Sequence, residues 1–151
     1  MSETPTPKAP NIIETMFQSG GEAMRGLKLP PPVFVEMGTE VVSFDPQTNT
    51  LVCKFPVQER WQNPLGYMQG GVLAVLVDNT VGPLSFMVAP PSVTTQMNIS
   101  YFRPVTPEES EVTVTAQLSE RTRKQLFFTA TVRGSDGKTL CVANATQQIL
   151  G

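Results

Sequence analysis

The run from Val72 to Val88, VLAVLVDNTVGPLSFMV, would be apolar on almost every side of a helix. A helix without a polar face has to be wrapped by other structure. One carboxylate, Asp78, interrupts it, and Asp is rarely buried unless it is paired or in use. The residues just before it read WQNPLGYMQGG. They put Gly70-Gly71 at the helix start, with two amide side chains, Asn63 and Gln69, in the preceding loop. A helix N-terminus leaves backbone N–H groups unpaired and carries partial positive charge. The stretch therefore offers an N–H site for a developing oxyanion and a carboxylate in an apolar wall.

The rest of the chain supplies candidates for the wrapping. Residues 1–10 are polar and Pro-rich, and they read as a disordered arm without the features of a signal peptide. Asn11 can cap a short helix carrying Ile12, Ile13, Met16 and Phe17 on one face, ended by Pro30-Pro31-Pro32. Val33 to Phe44 and Leu51 to Val57 read as strands joined by the DPQTN turn. Gln58 to Gln69 is a loop. Gly70 to about Met87 is the central helix, which Pro83 should kink or end. Val93 to Phe102 alternates with period two, with Val93, Thr95, Met97, Ile99 and Tyr101 on the apolar face. Glu111 to Ser119 and Leu126 to Arg133 alternate in the same way. A turn at Ser135 to Gly137 leads into the last strand, Lys138 to Leu150. Strand runs around one apolar helix predict an α+β domain over residues 11–151, a curved antiparallel sheet wrapping that helix.

Composition narrows the chemistry. The chain has 151 residues, a net charge of -2 and no histidine. One domain of this length buries a sizeable core, and the charge gives no basic footprint for nucleic acid. Without histidine, Ser-His-Asp and Cys-His catalysis and every His-containing zinc site are excluded. Two cysteines, Cys53 and Cys141, cannot build a structural zinc site and read as buried free thiols. Any chemistry must use carboxylates, backbone dipoles, amides and hydroxyls. No metal is expected. The longest apolar run is broken by Asp78, Asn79, Gly82 and Pro83, so no membrane partner is expected, and the cytoplasm is the default location.

At these residues the chain resembles the hotdog-fold acyl-CoA thioesterases of the PaaI and thioesterase superfamily member 2 type. NPLGYMQGGVLAVLVDN is similar to their pattern of Asn, Gly, His-Gly-Gly and a helical Asp; Asn63, Gly66, Gly70, Gly71 and Asp78 match it. TTQMNISYFRP resembles the strand that follows. The resemblance implies a thioester hydrolase of the 4HBT superfamily acting on an acyl- or aryl-coenzyme A. It implies no separate cofactor, coenzyme A being part of the substrate. By position, Asp78 corresponds to the carboxylate that attacks the thioester or activates water. Gly70 supplies an N–H to the carbonyl, Asn63 positions carbonyl or water, and Gln96 falls where some members place a small hydroxyl residue beside the Asp. The family histidine is Gln69 here, an amide that can donate a hydrogen bond but cannot transfer a proton.

Each feature also has an ordinary explanation. Asp78 could bond a neighbouring backbone group, Gly70-Gly71 could serve tight packing, and Asn63-Pro64 is a common turn. Gln69 could be a solvent-facing loop amide. Arg121, Arg123 and Lys124 read as a solvated turn, with a clamp for coenzyme A phosphates as the sharper alternative. Arg103 could meet phosphate or a second subunit. The competing function is a non-catalytic hotdog module that binds acyl-CoA or an acyl carrier. A hydratase or dehydratase is disfavoured by the missing histidine. Gly70 and Asp78 lie about 12 Å apart along one helix axis at about 1.5 Å per residue. One helix cannot bring both to the same carbon, so a homodimer with shared sites is expected, and the resemblance extends this to a homotetramer.

Overall fold

A computed structural model describes residues 25–151. The expected N-terminal arm and the helix expected to begin at Asn11 lie outside the described residues. The order is α1 (Pro32–Glu36), β1 (Glu40–Asp45), β2 (Thr50–Pro56), α2 (Gly70–Val88), β3 (Ser92–Tyr101), β4 (Glu111–Arg121), β5 (Gln125–Arg133) and β6 (Thr139–Ile149). The strands form a six-stranded sheet in the order β1-β2-β4-β5-β6-β3, with every neighbouring pair antiparallel. Because α2 leads from β2 to the far edge strand β3, it has to cross the sheet face. This is the single helix on an antiparallel sheet that the hotdog resemblance implies.

Period-two patterning sets which face meets the helix. Leu51, Cys53 and Phe55 of β2, Val112 and Val114 of β4, and Leu126, Phe128 and Val132 of β5 are buried. They share one core with Leu73, Leu76, Val77, Val81 and Leu84 of α2. Burying each large apolar side chain contributes roughly 1.5–3 kcal/mol. Ala116, Ala130 and Ala143 lie side by side on β4, β5 and β6. Their small side chains leave room above the middle of the sheet for α2. In length and hydropathy α2 would suffice to span a bilayer, but its packing in this core marks it as the domain's own central helix.

Three sequence expectations need correction. Val33 to Phe44 is not one strand: Pro32–Glu36 is helical, with Pro31 at the N-cap. Proline's fixed φ suits the first helical position, so the Pro run starts a helix here rather than an extended segment. Gly38, at φ +67°, then turns the chain into β1. The helix α2 runs through Pro83 to Val88, one residue beyond the expected end near Met87. Second, α2 is not wrapped on all sides: Gly71 and Asp78 are exposed, and Val75, Gly82 and Phe86 are half-buried along the same stripe. A single sheet covers only one side of a helix.

The third correction concerns β3. The register slips between Thr94 and Gln96, leaving Thr95 as a bulge. A one-residue slip exchanges the faces of a strand. Thr94 pairs with Gln147, and Met97 and Ile99 pair with Ala145 and Ala143. Gln147, Ala145 and Ala143 all face the core. Thr94 therefore shares the core face that was expected for Val93 and Thr95, and Val93 is exposed.

Candidate active site

Asn63 organises the loop before α2. Its Oδ1 accepts from the backbone N–H of Leu65 at 2.9 Å and of Tyr67 at 3.1 Å. Its own N–H donates to the Tyr67 carbonyl at 2.7 Å. Gly66, at φ +81°, closes the turn and donates to the Asn63 carbonyl at 2.9 Å. With Oδ1 held twice, the Nδ2 group is the part of Asn63 left to donate elsewhere.

Gln69 is the N-cap of α2, yet its side chain makes no capping bond and is exposed. Its backbone is fixed, since its N–H donates to the Trp61 carbonyl at 2.8 Å. The Gly70 and Gly71 N–H groups that follow have no acceptor among the described residues, as the first donors of a helix lack intrahelical partners. The phenol of Tyr101 donates to the Gly70 carbonyl at 2.6 Å. Burial raises the pKa of this phenol, with the Cys141 thiolate adding to the shift, so it stays a donor at neutral pH.

Asn63, Gly70 and Arg103 line one open cleft of about 330 Å³ with Tyr67, Met68, Leu73, Tyr101, Phe102, Pro104 and Val105. Most of that lining is apolar, while the loop amide and the helix start are polar. Arg103 is engaged through Nη1, which donates to the Thr139 carbonyl at 2.7 Å.

Asp78 does not line this cleft. It lies two turns further along α2 and is exposed in the single chain, so the expectation of a carboxylate enclosed in an apolar wall is corrected. Its Oδ1 accepts from the Thr94 hydroxyl at 2.8 Å, and Oδ2 has no partner among the described residues. The small hydroxyl beside the carboxylate is thus Thr94, not Gln96. Gln96 pairs with Thr146 on the opposite face of the sheet, because the bulge at Thr95 intervenes. Nothing in a period-two reading signals a bulge between Thr94 and Gln96.

The basic cluster sits at the other end of the helix. Arg121 donates through Nη1 to the carbonyl of Val88, the last residue of α2, at 2.8 Å. A cation there complements the helix dipole, so Arg121 has a structural role that the sequence did not reveal. Arg123 and Lys124 are exposed in the β4–β5 turn. No group of three or more His, Cys, Asp or Glu side chains suited to a metal occurs among the described residues.

Comparison with known proteins adds an independent line. Residues 65–141 match the family model described as the thioesterase superfamily. The rat acyl-coenzyme A thioesterase THEM4 is 33% identical over 131 residues, covering 86% of this chain and 56% of the relative. The chain therefore spans little more than half of that protein's length. The mouse acyl-coenzyme A thioesterase 13 is 26% identical, with 91% of this chain and 99% of the relative covered. Among solved structures, the Escherichia coli PaaI protein from the phenylacetic acid degradation operon superposes with a TM-score of 0.75 at 17% identity, covering 89% of this chain and 98% of that one. That likeness gives the fold, and the family match gives the membership: this chain belongs to the thioesterase superfamily and carries its hotdog fold.

Proposed function

We propose that the chain hydrolyses the thioester of an acyl- or aryl-coenzyme A in a site shared by two copies of the domain. The observation that carries this is the separation of two tools on one helix. Gly70, at the start of the helix, lines the cleft, while Asp78, held by Thr94, lies on the uncovered stripe of α2. Eight residues at about 1.5 Å each separate them by about 12 Å, whereas nucleophile and oxyanion donors must both lie about 3 Å from the reacting group. A second α2, antiparallel and related by a two-fold axis, brings Asp78 of one copy opposite Asn63 and Gly70 of the other. The half-open stripe of Gly71, Val75, Asp78, Gly82 and Phe86, together with the exposed edge strand β3 carrying Val93, supports such a pairing.

In this site the thioester carbonyl accepts from the Gly70 N–H and from Asn63 Nδ2, which stabilises the developing oxyanion. Asp78 acts through Oδ2, either on water as a general base or on the carbon as a nucleophile. The leaving thiol belongs to coenzyme A. Arg123 and Lys124 are the exposed cations that would meet its phosphates, with Arg103 and Arg121 partly committed to backbone carbonyls. Gln69, at the helix start, lends an amide donor rather than a proton carrier.

The second reading is a non-catalytic module that binds an acyl-CoA or acyl carrier, and the exposed Gln69 in the histidine position favours it. Free-thiol release from short, medium, long and aromatic acyl-CoAs separates the two. Hydrolysis of any class supports the enzyme. Saturable binding without thiol release supports the binding module and rejects the enzyme.

A further inference from the structure

Gln147 is an anomaly in its strand. Along β6 the core-facing positions run Cys141, Ala143, Ala145 and Gln147, and Gln147 is only 2% exposed. A buried amide has to find hydrogen-bond partners or it destabilises the fold. Its partners are specific. The Ser92 hydroxyl donates to Gln147 Oε1 at 2.5 Å, and Gln147 Nε2 donates to Thr94 Oγ1 at 3.3 Å. Thr94 lies directly across from Gln147 in the β3–β6 ladder, and its hydroxyl donates a hydrogen bond to Asp78 Oδ1 at 2.8 Å. The groups form one chain, Ser92 to Gln147 to Thr94 to Asp78, with every proton pointing towards the carboxylate.

The direction matters chemically. A threonine hydroxyl has one proton and two lone pairs. When an N–H already occupies the lone-pair side, the proton is left for the remaining neighbour, here a carboxylate that can only accept while ionised. We propose that Gln147 is a positioning residue for Asp78. It fixes the Thr94 hydroxyl so that its only proton is directed at the carboxylate, and Ser92 holds Gln147 in the matching orientation. The consequence for turnover rests on the thioesterase reading; the orientation of Asp78 does not.

The test uses the full chain with Gln147→Leu, Gln147→Met, Thr94→Val and the Gln147→Leu/Thr94→Val double variant. Gln147→Leu removes the amide. Gln147→Met keeps the length of the side chain but removes the donor to Thr94, and it serves if the leucine variant fails to fold. Two readouts are taken: kcat and KM on the best acyl-CoA, and the χ1 distribution of Asp78 from side-chain scalar couplings. The inference expects kcat to fall about 10-fold with KM unchanged in each folded variant, the weight of one charge-assisted hydrogen bond. It expects no further loss when Gln147→Leu is added to Thr94→Val, since one acts through the other. It also expects Asp78 to change from one rotamer to an average of several. A single Asp78 rotamer retained in the folded Gln147 variants overturns it, and so does an additive double variant. Averaging of Asp78 in a protein that hydrolyses no acyl-CoA leaves the relay standing and rejects the thioesterase reading instead.

Discussion

The Tyr101 hydroxyl donates to the Gly70 carbonyl across 2.6 Å, and its ring lies where a side chain on Gly70 would begin. A Cβ built on Gly70 would fall 3.2 Å from Tyr101 Cζ. The peptide that joins Gly70 to Gly71, next to the Gly70 N–H proposed to meet the thioester, is therefore fixed at its carbonyl by an edge-strand phenol. Gly70→Ala should push Tyr101 aside by a few tenths of an ångström and lengthen that bond. Tyr101 is half-exposed and can yield, so the melting temperature should hold while thioester hydrolysis falls about 10-fold, the cost of a misplaced donor. Unchanged kcat/KM in Gly70→Ala would mean this peptide does not handle the substrate.

Asn63 has two separable jobs, and Asn63→Asp divides them. The aspartate keeps an acceptor for the Leu65 and Tyr67 N–H groups but replaces the Nδ2 donor with an oxygen. The loop should stay folded, with an unaltered melting temperature, while kcat/KM drops at least about 10²-fold, as when one oxyanion donor is lost. Full activity in Asn63→Asp would confine the residue to holding the loop.

The buried thiols predict how stability responds to alkali. Burial pushes the Cys53 thiol from 9.0 up to about 12, against a smaller opposing pull from the Thr80 hydroxyl. It pushes Cys141 from 9.0 to about 11. Both folded values lie above the unfolded one, so the stability they contribute is fully present below pH 9.0. It is lost as pH rises through the folded values, because only the unfolded chain can release these protons. At one pH unit above the unfolded value the effect is about 1.4 kcal/mol per thiol. Urea midpoints should be flat in this respect between pH 7 and 8 and fall by pH 10, and Cys53→Val should remove part of that fall. An identical pH slope in Cys53→Val would contradict the assignment.

A shared site makes a quantitative prediction for mixed dimers. Asp78→Asn and Asn63→Asp, each inactive alone, should complement when co-expressed. Random pairing makes half of the dimers mixed and each mixed dimer holds one intact site, so roughly a quarter of sites should recover by two-fold symmetry. A pool of verified heterodimers with no more turnover than its parents would place Asp78 and Asn63 in the same chain's site.

Much of the fold was legible because one physical signal dominated. β4 and β5 alternate with period two, and the helix is apolar and begins at a Gly pair, so their existence could be read directly, as could the inward faces of the two strands; β6 was read as a strand without its faces. The turns could be read for the same kind of reason: Asn49 and Gly137 both take positive φ. The misreadings come from effects that local pattern does not carry. Pro32 starts a short helix whose Phe34 is buried, and the bulge at Thr95 moves Thr94 onto the Asp78 face and Gln96 off it. Arg121 meets the end of α2 only after the sheet has formed. Asn63 and Gly70 were singled out from their loop and helix-start positions, and both line the cleft. Gln147 was missed because a polar residue at an inward register position is explained only by partners on another strand.

The most direct measurement is free-thiol release by Asp78→Asn on the best acyl-CoA, alongside its melting temperature and helix content. The substitution keeps the side chain's shape and removes the charge from an exposed residue whose contact is one hydroxyl. The account predicts a folded protein, stable as the parent, with kcat lowered at least about 10²-fold, as expected when an essential base or nucleophile is removed. A folded Asp78→Asn protein that releases thiol at near the parental rate would contradict it.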